Sequence, residues 1–439
     1  MLRSVAHRFG KRLVLRESLG DSMQREITLV RRMAVWTIAF LLSLVTGVCA
    51  QSYSVLTNFN DADGNQPVGS PIIDGSGNVF GTTSLGGIGC GSNGCGVVFE
   101  LVNNGGGSYT NITLHSFAGG TTDGCYPAGL LMDSSGDLFG VAAACGAHNA
   151  GVVYELANSG GSYTESVVYT FKGGPDGSIP TGILAMDAKG RLYATTNQGA
   201  GGNCYAGCGT VFQLIRRGNA WTKKVLHKFR NNGVDGWYPE AGVTLDRKGN
   251  IYGTTYSGGG YQSGIVFRLC PPTKKRKNYQ ETILHTFYGG MDGCAPSSGV
   301  VFDSSTNLYG TTDGCGRYGD GTVYRLRPSG KRYVKNVILQ FNGTNGSCPC
   351  DYASDAAIDS SGNVYGATYA GGVYNGGTVF KLASGSFAYT GLHDFDTNGT
   401  DGYLPYGGVA LDSVGSLYGT TRVGGSSSNY GTVWQITSQ

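Results

Sequence analysis

Charge is the scarcest property of this chain. Asp, Glu, Lys and Arg make up 14% of its 439 residues, with 32 Lys/Arg against 29 Asp/Glu. Eight of those cations and three of those anions fall in residues 1–50, so the remainder holds 24 cations and 26 anions. A near-neutral body offers no basic footprint for a phosphate backbone, which excludes nucleic acid as an expected partner. Long apolar runs are missing too: Met33 to Val48 is about 16 residues, short for a membrane helix. Beyond residue 50 there is no Ser-nucleophile motif, phosphate loop or dinucleotide fingerprint. The 3.6-residue apolar period of helical repeats is absent as well. No cofactor is expected.

Glycine, tyrosine and repetition are abundant. There are 76 Gly and 27 Tyr, and a hydrophobic fraction of 40% rules out general disorder. From Tyr53 onward one pattern of about 56 residues recurs seven times. Each copy opens on Asp-Gly-x-x-Pro, with prolines at Pro67, Pro127, Pro180, Pro239, Pro296, Pro349 and Pro405; the sixth copy has Asn345 for Asp. An Asp-x-x-Gly-Asn-like turn, a Leu-Tyr-Gly-Thr-Thr-like segment and a Gly-Thr-Val-Phe-like segment follow. The copy closes on a Leu-His-x-Phe-like run, ending at Phe59, Phe117, Phe171, Phe229, Phe287, Phe341 and Phe395.

Four strand-forming runs per copy, separated by turn signals, define an all-β, seven-bladed β-propeller with four antiparallel strands per blade. In the second copy the runs are Gly129 to Asp133, Asp137 to Ala142, Gly151 to Leu156 and Tyr163 to Phe171. With the inner strand labelled A and the outer D, Tyr53 to Phe59 is a lone D strand and the last copy stops after strand C. The N-terminal outer strand is therefore expected to complete the C-terminal blade, which pairs both naked edges. Residues 51–439 are expected to form this single domain, as a monomer.

Residues 1–50 read as a signal peptide with an extended n-region. Arg31 and Arg32 precede the apolar run, and Val48-Cys49-Ala50 offers small residues for cleavage near Ala50. The expected destination is secreted, cell-surface or periplasmic, with no membrane span after the leader is removed.

Most recurring residues have structural explanations. The Asp of the A-to-B turn can accept backbone N–H bonds, with Gly taking positive φ. Its resemblance to a calcium loop fails, because Asp246-Arg247-Lys248-Gly249 offers cations where ligands are needed. The Asp-Gly-x-x-Pro element fits a D-to-A corner with Asp capping and Pro stiffening the start of the inner strand. His115, His227, His285 and His393 recur on the outer strand, too dispersed to share one substrate, and read as packing or surface positions. No metal site is expected.

Strand alternation puts the D-to-A and B-to-C loops on one face. That face carries Cys125 with Cys145, Cys294 with Cys315, Cys90 with Cys95, and Cys204 with Cys208, expected as disulfides in an exported chain. Cys348 and Cys350, one residue apart, would make a strained ring and are open to other partners. Cys270 falls on the other side, near the basic tip Lys274 to Lys277. The same loops carry Tyr126, Tyr205, Trp237, Tyr238, Tyr261, Tyr318, Tyr374 and Tyr403, and aromatic platforms with little charge suit sugar rings or an extended partner. Packing of Gly-rich loops would use the same residues. Glu240 and Asp313 can be named as an acid and a nucleophile or base, without geometry to support them.

The words Asp292-Gly293 through Pro296, Asn307 to Thr312, Gly321 to Tyr324 and Leu284 to Phe287, repeated from about Tyr53 to the end, resemble the choice-of-anchor tandem-repeat family called GloVer. The resemblance implies an exported bacterial protein and carries over no catalytic residue. The family's C-terminal anchor has no counterpart before Gln439, so release or retention by binding is expected. The expected function is a non-catalytic binding or scaffold protein that recognises glycan or a surface protein. The alternative is an extracellular propeller enzyme acting on carbohydrate, a lyase, hydrolase or lactonase, resting on fold analogy.

Overall fold

In the computed structural model, which describes residues 51–349, 356–425 and 429–437, Ser52–Thr437 forms one compact unit. The leader, Cys350 and Asp351 lie outside the described residues. Seven four-stranded antiparallel sheets follow one another in sequence. In the second blade the strands are Gly124–Met132, Leu138–Cys145, Val152–Ser159 and Ser162–Thr170. Strand A therefore starts earlier than its apolar run, because Gly124 and Cys125 already pair with Cys145 and Ala144.

The inner strands are not equal around the ring. Those of blades one to three span nine residues, Asn65–Ile73, Gly124–Met132 and Ser178–Met186, whereas those of blades four to seven pair over two residues only. Blade seven is closed by Ser52–Asn58, which runs antiparallel to Thr432–Thr437 with Tyr53 opposite Ile436. The only helical elements among the described residues are three short 3-10 turns.

Three sets of contacts explain the repeated words, and all three join neighbouring blades. Each closing Phe is fully or almost fully buried and meets the strand-C aromatic of the next blade, edge-on in six pairs, as in Phe117 with Tyr154 at 5.0 Å and Phe229 with Phe267 at 5.2 Å, and tilted in Phe395 with Trp434. The hydrophobic clusters accordingly straddle blade boundaries; one contains Phe80 and Val98 of blade one with Leu138 and Tyr154 of blade two. Secondly, each Gly before strand C lies against the Asp-Gly-x-x-Pro proline of the next blade, so Pro is a packing contact besides stiffening its own strand. A Cβ on Gly264, whose φ is +94°, would fall 2.5 Å from Pro296 Cδ. Thirdly, the outer rim carries polar contacts, described below.

Within a blade, paired threonines connect strands B and C, as in Thr196 Oγ1 and Thr210 Oγ1 at 2.8 Å. The A-to-B turns are closed by their own aspartates. Asp246 Oδ1 accepts from the amides of Lys248 and Asn250 at 2.9 Å each, and its second oxygen accepts from Tyr252 Oη at 3.2 Å. These carboxylates are occupied as turn caps.

Candidate functional site

The loop face is held by disulfides. Cys125 is bonded to Cys145, Cys294 to Cys315, Cys90 to Cys95 and Cys204 to Cys208, with Cα separations of 5.1–5.4 Å. The first two pairs join a D-to-A loop to the B-to-C loop of the same blade. The sulfurs of Cys90, Cys95, Cys125 and Cys145 also gather within 4.8 Å of one another. Cys348 is disulfide-bonded, and Cys270 carries a free, half-buried thiol.

These bridges pin aromatic residues. Tyr205 lies inside the Cys204–Cys208 loop and is 92% exposed. Its carbonyl accepts from Tyr238 Oη at 2.8 Å. The Tyr238 ring meets Trp237 edge-on at 4.5 Å, and Trp237 Nε1 donates to Gln262 Oε1 at 3.3 Å. Beside Gln262, exposed Tyr261 lies 6.2 Å from Tyr288. The result is one aromatic strip running from the loops of blade three to those of blade five.

The other aromatic candidates are separate from the strip. Tyr126, Tyr318 and Tyr374 are exposed on other loops, with Arg317 over the Tyr318 ring. Tyr403 packs against the cluster around Phe395 and Trp434, so it serves as a wedge more than as a platform.

Inward from the strip, strands A and B of blades three to five bring polar residues together at their loop-face ends. Asn197 Nδ2 lies 3.5 Å from Glu240 Oε1, and Ser297 Oγ donates to Asp313 Oδ1. Burial, reinforced by the Asp313 charge, pushes Glu240 up to about 8 against the Asn197 hydrogen bond. Burial pushes Asp313 up to about 7 despite Ser297. Burial and both carboxyls also raise Tyr256. Glu240 Oε2 is buried with no hydrogen-bond partner. A pair of carboxyls that titrate near neutrality can hold one proton and release another, which is the requirement for acid–base chemistry. On the blade-seven side, Arg422 donates to Gln66 Oε1 at 2.9 Å and lies over Tyr406, itself 5.8 Å from Tyr369.

The four histidines pack, as their spacing implied, each ring meeting the closing Phe two residues on at 4.7–4.8 Å, and they also make a polar contact that the spacing alone did not assign. Each faces the Asp that opens the next Asp-Gly-x-x-Pro element: His115 with Asp123 at 3.3 Å, His227 with Asp235 at 3.4 Å, His285 with Asp292 at 2.9 Å and His393 with Asp401 at 2.8 Å. The near-constant interval of seven or eight residues between His and Asp was the available signal. Asp176 occupies the same place in blade two and is bound by Tyr169 at 2.9 Å.

A seven-bladed propeller with a disulfide-tied, aromatic loop face on one side defines the class. The sequence profile of the Gloeobacter/Verrucomicrobia repeat matches residues 40–267 and 242–439, so the chain belongs to that family. Comparison with curated proteins finds no match. Among solved structures it is similar to a gluconolactonase from Xanthomonas campestris, at 9% identity and TM-score 0.40, covering 88% of this chain and 89% of that one. It is also similar to a candidate 6-phosphogluconolactonase from Bacteroides uniformis, at 12% identity and TM-score 0.49, covering 79% and 96%. Disulfides are compatible with an exported protein. Among the described residues no helix is long and apolar enough to cross a membrane.

Proposed function

We propose that the protein is an exported carbohydrate-binding protein whose ligand lies along the aromatic strip of the loop face. The observation that carries this reading is the continuity of Tyr205, Tyr238 and Trp237 through a hydrogen bond and a ring contact, extended to Tyr261 by the bond from Trp237 to its chain neighbour Gln262. Aromatic rings presented without competing charge stack on the apolar faces of sugars, and rings held by disulfides lose little freedom on binding. Residues 1–50 serve as the export signal in this reading.

The buried Glu240 and Asp313 favour a second reading, an enzyme that acts on the bound carbohydrate. Glu240, protonated at neutral pH, would be the acid, and Asp313 the base. The strip leads to this pair, because Trp237, Tyr238 and Glu240 belong to one D-to-A segment.

Retention on immobilised polysaccharides tests the first reading. Wild type is expected to be retained by at least one, with retention lost in Trp237→Ala. Retention by none would overturn glycan binding in favour of a surface-protein partner. Release of new reducing ends or unsaturated products from the retained polysaccharide, abolished in Glu240→Gln, would establish the enzyme.

A further inference from the structure

Opposite the same leucine position of strand C, four of the outer strands present a charged residue to the rim, alternately Glu and Lys. Glu165 faces Leu156, Lys223 faces Leu214, Glu281 faces Leu269 and Lys335 faces Leu326. Every one of them reaches back to the Asp-Gly-x-x-Pro carboxylate of the preceding boundary. Where the residue is lysine, the ammonium fills the space and neutralises the acid. Lys335 Nζ donates to Asp292 Oδ1 at 2.6 Å, and Lys223 Nζ to Asp176 Oδ1 at 3.0 Å. Two boundaries thus show what the pocket is built to hold, which is one cation.

The other two boundaries put a second carboxylate in place of that cation. His227 Nε2 lies 3.4 Å from Asp235 Oδ2 and 3.6 Å from Glu281 Oε1, and the three ligand atoms fall within 4.8 Å of one another. Asp235 Oδ1 and Glu281 Oε1 are buried without hydrogen-bond partners, and Asp235 is only 7% exposed. Two desolvated carboxylates that share one imidazole, with no lysine to compensate them, are costly unless a further cation is supplied. The spacing of the imidazole from each carboxylate also fits a metal: ligands about 2.0–2.2 Å from a tetrahedral zinc lie roughly 3.3–3.6 Å apart. One imidazole with two carboxylates is a donor set for such an ion, and two negative charges balance its two positive ones. The cluster opens on a cavity of about 580 Å³ lined also by Lys224, Lys228 and Arg230.

We propose that His227, Asp235 and Glu281 form a zinc-class divalent metal site between blades three and four, with a fourth position open to this cavity. His115, Asp123 and Glu165, likewise within 4.8 Å of one another, repeat the site between blades one and two. The metal does there what Lys223 and Lys335 do at the alternate boundaries, joining two blades through a compensated charge. Asp235 is two residues from Trp237, so the ion also fixes the segment that carries the aromatic strip. The open position and its basic lining would accept water or an anionic group.

The test is equilibrium dialysis of the EDTA-stripped, full-length protein against zinc under non-reducing conditions, so that the paired cysteines stay oxidised. Wild type is expected to take up two zinc ions per chain. Glu281→Lys, which copies the natural ammonium, should take up one, and the double variant Glu165→Lys/Glu281→Lys none. Each variant should keep the wild-type circular dichroism, and Glu281→Gln, which also removes the ligand, guards against a folding defect of the lysine variant. Zinc should raise the melting temperature of wild type and leave that of the double variant unchanged. Absence of zinc uptake by wild type would overturn the proposal, as would undiminished stoichiometry in the variants or preference for calcium over zinc.

Discussion

Gly431 lies against Pro67 across the seam where the ring closes. A Cβ on Gly431, at φ +96°, would stand 2.5 Å from Pro67 Cδ and 2.4 Å from the Thr421 carbonyl oxygen. The first and last repeats therefore meet through the contact that joins every other pair of blades. Gly431→Ala should destabilise the fold by at least about 1–2 kcal/mol from its backbone conformation alone, with the clash adding to that. The denaturant midpoint measures it, and an unchanged midpoint would show that the seam yields without cost.

The same seam depends on the N-terminal strand. Tyr53 stacks on His393 at 3.7 Å with ring planes 1° apart, and its hydroxyl donates to the Asp401 carbonyl at 2.6 Å. Tyr53→Ala is expected to cost about 3 kcal/mol, the low end for large aromatic truncations because Tyr53 is only half-buried. Deleting Ser52–Asn58 goes further, since it strips Thr432–Thr437 of its partner and leaves a bare edge. That variant should melt far earlier than wild type and scatter light on heating; equal melting would refute closure by this strand.

Lys335 and Asp292 are each 6% exposed at the side chain, so neither has water to fall back on. Although burial works against it, hydrogen bonds from His285 and Lys335 hold the Asp292 carboxyl below its ordinary range. A depressed carboxyl contributes stability above its unfolded pKa of about 3.9 and loses it as pH falls through the folded value. Lys335→Met should cost about 3 kcal/mol at neutral pH, near the low end for breaking a buried pair because His285 remains. The loss should shrink when urea unfolding is repeated in acid. A deficit independent of pH would mean that lost packing over Phe287, not charge, sets the cost.

The propeller was legible because its period is carried by residues with one physical job each. Phe117 and its six counterparts must be apolar to wedge between blades, and Gly264 and its counterparts must lack a Cβ. The family, blade count and ring closure followed from that repetition. The pairing of lysine with aspartate at the blade boundaries was not legible, since Asp292 and Lys335 lie 43 positions apart at the two ends of one repeat, with nothing local to mark them as partners. For the same reason Glu240 and Asp313 could be named as unusual residues of one face but not brought together. Their convergence depends on the angle between adjacent blades, which no local pattern encodes. The aromatic face was legible as composition; its division into a strip at Trp237 and a packed wedge at Tyr403 required coordinates.

Glu240 supplies the last expectation, because its burial has a thermodynamic sign. Its folded pKa, raised to about 8, exceeds the ordinary carboxyl value. Between about pH 4.3 and pH 8 the native state holds a proton that the unfolded chain has released, so stability from this group falls as pH rises. Asp313, raised to about 7, contributes with the same sign. Glu240→Gln removes one ionisation while keeping an amide that can still meet Asn197. The variant should therefore gain on wild type as pH increases from 5 to 8, by up to about 1.4 kcal/mol for each pKa unit of difference between the two states. Its own pH slope should be shallower but not flat, since Asp313 remains. Parallel stability curves for the two proteins would show that Glu240 is solvated, and would remove the ground for assigning it acid–base chemistry.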